Sequence, residues 1–211
     1  MPMLVQGVVG PQLVPDGGAP TNLRQGRLGD LIVSELNGRF YEQTVRGRTF
    51  FAMTATAGVS IASLTITTAA PFTLLNPFGS GINLSVLHAG MQYVSGTIGT
   101  GTLYLAANTN PSAAIVTGTA ITATNGLLGG PVGIGRAFTT STLPASPTII
   151  RPYLTAVPAL ATTVTLFTYE MTPIDGEIVI APGCALSFAG VTAAGTSPLV
   201  QFGMAWNEVP I

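Results

Sequence analysis

From Thr49 onward, apolar residues recur at alternate positions or in short runs, not at the i, i+3, i+4, i+7 spacing of an amphipathic helix. Phe51, Met53 and Ala55 alternate with Ala52, Thr54 and Thr56, and Ile82, Leu84 and Val86 alternate with Asn83, Ser85 and Leu87. Further runs lie at Val59 to Ile66, Phe72 to Leu75, Leu103 to Leu105, Ile115-Val116, Ile149-Ile150, Val164 to Tyr169, Ile178 to Ile180, Ala185 to Phe188 and Leu199 to Phe202. They are rich in β-branched and aromatic residues, which suit a pleated, half-buried surface. Each run therefore predicts a strand.

Turn chemistry separates the runs. Asn76-Pro77-Phe78-Gly79-Ser80-Gly81, Asn108-Thr109-Asn110-Pro111, Asn125-Gly126 and Ala181-Pro182-Gly183 predict turns. Asp175-Gly176, set between Tyr169-Glu170-Met171 and Glu177-Ile178-Val179, predicts a hairpin. The Gly- and Pro-rich stretch from Gly126 to Pro147 predicts a long loop. Eight or more short strands at this spacing predict an all-β fold, an antiparallel sandwich or barrel.

Charge divides the chain. Of its 211 residues only 15 are Asp, Glu or Arg, none is Lys, and nine of the 15 fall between Asp16 and Arg48. The 87 residues from Thr49 to Gly135 carry no charge. An N-terminal arm over 1–49 and a β-sandwich body over 50–211 are expected. Leu28, Leu31, Ile32, Glu35 and Leu36 fit one face of a short helix, but Gly26, Gly29 and Gly38 dilute helix propensity and favour an extended arm.

A soluble domain usually carries about 25% charged residues; this chain carries 7%. So sparse an ionic surface predicts that much of it is covered by other chains. A net charge of -1 supplies no basic field for nucleic acid. No apolar run reaches the roughly 18–20 residues of a membrane helix, and Met1 to Gln6 lack the basic start of a signal peptide.

Candidate chemistry is thin. Gly130-Pro131-Val132-Gly133-Ile134-Gly135 looks like a phosphate loop, but Arg136-Ala137 stand where Lys and Ser or Thr would be needed. His88, the only histidine, cannot supply a usual metal set or a triad unaided. Glu170, Asp175 and Glu177 cluster around the predicted hairpin, where a solvated turn accounts for them better than a glycosidase pair. Cys184 reads as a small buried hydrophobe in a strand. No enzyme activity and no cofactor is expected. The arm offers more: Arg24, Arg27, Arg39, Phe40, Tyr41, Arg46 and Arg48 combine planar cations with aromatics, a composition suited to docking on another protein.

The segment Asn22-Leu23-Arg24-Gln25-Gly26-Arg27, followed by Gly29-Asp30-Leu31-Ile32-Val33-Ser34-Glu35-Leu36-Asn37-Gly38-Arg39-Phe40-Tyr41-Glu42-Gln43, resembles the start of small structural proteins of tailed bacteriophages. Asn76 to Gly81 with Ile82-Asn83-Leu84, Ile178 to Gly183, and Trp206-Asn207-Glu208 are similar to the same group. The resemblance covers most of the chain through packing and turn motifs. It implies a virion protein, a capsid cement or decoration protein with a jelly-roll-like antiparallel β-sandwich and an extended N-terminal arm. Such a protein would be a homo-oligomer, a trimer, bound to the major capsid protein on the capsid surface and made in the host cytoplasm. It would have no nucleic-acid or membrane partner. A tail, collar or fibre component and a glycan-binding jelly roll are the alternatives.

Overall fold

The structure, a computed structural model, describes residues 38–61, 66–96, 101–109, 116–156, 170–192 and 198–211. Most of the expected arm, with Arg24 and Arg27, and the strand expected over Val164 to Tyr169 lie outside the described residues. Among the described residues, one helical turn, α1 (Tyr41–Val45), precedes thirteen strands: β1 (Thr49–Met53), β2 (Val59–Ser60), β3 (Ala69–Leu75), β4 (Ile82–Ser95), β5 (Gly101–Asn108), β6 (Thr117–Ile121), β7 (Thr124–Asn125), β8 (Arg136–Thr142), β9 (Thr148–Ala156), β10 (Glu170–Pro173), β11 (Val179–Ile180), β12 (Ala185–Thr192) and β13 (Leu199–Pro210).

The strands form two antiparallel sheets, and the chain is an all-β sandwich. One sheet runs β10-β4-β13-β1-β7, with β11 also on β4 and β2 on β13; the other runs β6-β8-β3-β12-β5-β9. Alternation decides which side chains meet between them. Phe50 and Ala52 of β1 and Val200, Phe202, Met204 and Trp206 of β13 point inward from the first sheet. Phe72, Leu74, Leu103, Leu105, Leu186 and Phe188 point inward from the second. The Phe188 and Phe202 rings meet across the interface at 4.8 Å between centroids, and Tyr153 packs edge-on against Phe188 at 5.2 Å. The Tyr153 hydroxyl then donates to the carbonyl of Ala89 on the opposite sheet.

Several expectations need correction. The loop expected over Gly126 to Pro147 is interrupted, because Arg136 to Thr142 form β8, paired to β3 on one side and β6 on the other; residues 126–135 and 143–147 are loop. The Thr-rich segment between Gly135 and Pro144 fits a strand. Asp175-Gly176 does not close a hairpin. Strands β10 and β11 do not pair with each other; both pair with β4, one after the other. Residues 174–178 form an excursion in this edge, with Asp175 and Gly176 at positive φ of 52° and 86°. Its cause is a bulge in β4: Ala205 pairs with His88 but Trp206 with Val86, leaving Leu87 as the additional residue. The Leu87 carbonyl turns to the edge and accepts the N–H groups of Ile174 and Asp175. Before the bulge, Leu84 and Val86 face the core; after it, Ala89 and Met91 do.

The chain divides into two compact units, Met1–Tyr41 and Glu42–Ile211. Residues 42–49 fall in the second of these units. Tyr41 to Val45, expected to be extended, form α1, and Arg46, just past its end, pairs with Glu42 at 2.7 Å. Cys184 is half-buried in the turn before β12 rather than within a strand.

Candidate functional site

Of the expected docking residues, Arg39, Phe40, Tyr41, Arg46 and Arg48 are described. Arg39 is exposed and lies over the Phe40 ring, 5.4 Å from its centroid. Tyr41 is exposed at the start of α1. Arg46 is engaged by Glu42 on the same helical turn, an exposed pair worth about 0.3–0.5 kcal/mol. Arg48 is half-buried, and its carbonyl accepts the N–H of Glu208. The backbone of Arg48 is thus joined to the C-terminal strand.

A better-formed feature lies on the outward face of the first sheet. Phe51 and Met53 point away from the core, 47% and 50% exposed. Their neighbours across β13 and β4 on this face are small: Ala205, Gly203 and Gly90, beside His88. With Thr122 and Thr124 these residues line a groove of about 260 Å³, and none of them is Asp, Glu, Lys or Arg. Sequence reasoning noted the alternation in β1 but not that both of its faces are apolar. The run Phe50-Phe51-Ala52-Met53 carried that signal, since a strand that is apolar on both sides reads as covered on both.

The loop over residues 126–135 begins beside the groove. The Phe51 ring packs against Gly126, where an added Cβ would stand 3.2 Å from Cε2. The loop displays apolar side chains to water, Leu128 at 84% and Val132 at 91% exposure, with Leu127 and Ile134 nearly half exposed.

Two buried polar side chains hold this loop. Asn125 donates from Nδ2 to the carbonyls of Gly47 at 2.9 Å and Pro131 at 2.8 Å, and its Oδ1 accepts the Leu127 N–H at 2.8 Å. Glu208 accepts the N–H groups of Ile134 at 2.8 Å and Gly135 at 2.7 Å on one carboxylate oxygen. The segment that looks like a phosphate loop does gather backbone N–H groups around an anion. The anion is the chain's own carboxylate, so those donors are occupied.

Glu177 pairs with Arg151 at 3.1 Å, while Glu170 lies in β10 and Asp175 at the tip of the 174–178 excursion. His88 borders the groove with no acid among its lining residues. Among the described residues, no group of three or more His, Cys, Asp and Glu side chains could hold a metal ion. No described helix is long and apolar enough to cross a membrane. Comparisons with protein-family models, with curated proteins and with solved structures each return no match to this chain.

Proposed function

We propose that this chain is a structural virion protein of the cement or decoration type. In this reading it forms trimers on the head of a tailed bacteriophage and bridges copies of the major capsid protein. The observation that carries the proposal is the uncharged outward face: a sheet surface with Phe51 and Met53 exposed, beside a firmly held loop that presents Leu128 and Val132. Large exposed apolar surface on a charge-poor chain marks a contact region.

The strand orders support a jelly roll. Counting β10 and β11 as one interrupted strand and setting aside β2 and β6–β8, eight principal strands remain. The first, eighth, third and sixth are neighbours in one sheet (β1-β13-β4-β10), and the second, seventh, fourth and fifth in the other (β3-β12-β5-β9). Jelly-roll domains recur in viral capsids and in lectins. Fold alone does not select between such uses; the ionic poverty of the surface and the resemblance of the Asn22 to Gln43 segment to phage structural proteins favour the virion.

The mechanism is thermodynamic. A protein that binds only the assembled shell stabilises it by mass action, and attachment through several linked copies multiplies weak contacts. The test uses phage heads that lack the protein. Adding the full chain should produce co-sedimentation and raise the temperature at which the heads release their DNA. A chain that neither sediments with heads nor changes that temperature overturns the proposal.

A further inference from the structure

We infer that the groove face and the loop over residues 126–135 together form the contact between copies of this chain. This deepens the trimeric reading above by naming the surface that makes the oligomer.

Three observations select a second copy as the occupant. First, the face carries both halves of a contact: a recess floored by Gly90, Gly203 and Ala205, and, starting at its rim, a loop with Leu128 projecting into water. A recess of about 260 Å³ is of side-chain size, smaller than the roughly 300–1,000 Å³ of pockets for drug-sized ligands. Second, neither half contains Asp, Glu, Lys or Arg. Seating the loop of one copy in the recess of another therefore buries no charge that lacks a partner. Third, the loop is ordered beforehand. Asn125 and Glu208 hold its backbone through four hydrogen bonds, so its apolar side chains are presented at little further entropic cost on association. The tip of one copy then seats on the sheet face of the next, and repetition of this head-to-tail contact closes a ring.

The experiment is sedimentation velocity on the full chain over a concentration series, with Leu128→Asp, Phe51→Thr and Phe78→Ser beside the parent. Phe78 is 75% exposed in the β3–β4 turn and lines no part of the groove. The parent should sediment as an oligomer. Leu128→Asp and Phe51→Thr should weaken association about ten- to a hundredfold, the loss expected when one large apolar side chain is no longer buried. Phe78→Ser should associate as the parent does. Circular dichroism matching the parent excludes misfolding, and Leu128→Asp, at an exposed loop tip, supplies a variant in which the core is untouched. A monomeric parent, or equal association by all four proteins, overturns the inference. Oligomers disrupted by Leu128→Asp that never bind phage heads support the interface and overturn the decoration reading. Capture of heads by a chain that stays monomeric overturns the interface alone.

Discussion

Glu208, near the C-terminal end of β13, holds Gly135 by its backbone N–H at 2.7 Å, across 73 residues of sequence. Gly135 is also where the loop passes the buried indole of Trp206: an added Cβ would stand 3.0 Å from Nε1. One carboxylate thus fixes the end of the loop where the chain turns into β8, and the missing side chain of Gly135 lets it pass.

Replacing Glu208 with Ala should therefore destabilise the sandwich by about 3 kcal/mol, since it strands the N–H groups of Ile134 and Gly135. Glu208→Gln keeps an acceptor oxygen but loses the charge, and should cost about 1 kcal/mol. Urea unfolding of both variants checks the order. Equal stability of Glu208→Ala and the parent would refute the latch.

Asn76 makes a second prediction. Fully buried, it donates from Nδ2 to the carbonyls of Ile82 at 2.7 Å and Ile180 at 2.8 Å, and its Oδ1 accepts the Ser80 hydroxyl at 2.6 Å. It ties the β3–β4 turn to β11. Asn76→Ala should cost about 2–4 kcal/mol through the two carbonyls it leaves unpaired. Asn76→Asp should cost more, because a carboxylate has no donor and would face two carbonyl oxygens. Thermal unfolding that ranks Asp above Ala would contradict this account of the turn.

The contact between Phe188 and Phe202 joins the sheets at the centre of the core. Phe188→Ala should lose about 3–5 kcal/mol, and Phe188→Leu clearly less, by the cavity each leaves. If the Leu variant proved as unstable as the Ala variant, edge contacts with Phe72 and Tyr153 would outweigh volume.

Thr140 stands in β8 at a positive φ of 49°, a poor conformation for a β-branched residue. It is the unpaired residue opposite Pro71, since Ser141 pairs with Ala70 and Thr139 with Phe72. Thr140→Gly should stabilise by about 1 kcal/mol, or raise Tm by about 2–4 °C in a body of this size. A lower Tm would mean that the hydroxyl or methyl group has a role that outweighs the strain.

Strand positions were legible where alternation follows burial of one sheet face, as at Ile82, Leu84 and Val86 of β4; in β1 the alternating set Phe51 and Met53 faces outward and Phe50 and Ala52 inward. The phase change in β4 was not, since Leu87 is buried at the bulge and fits either register. The excursion at Asp175-Gly176 carries the residues of a hairpin turn; only the pairing of β10 and β11 with β4 distinguishes the two outcomes. Asn76 and Asn125 were legible as turn residues but not as buried anchors, because their partners lie partly in distant strands. The charge-free segment from Thr49 to Gly135 was the strongest sequence signal, and the groove and loop both fall largely within it.

The central claim is tested most directly by counting this chain in purified virions on a quantitative gel, against the major capsid protein. A decoration protein is present at hundreds of copies per particle. About a dozen copies or fewer would contradict the claim and favour a tail or fibre component, and absence from the particle would remove the virion reading altogether.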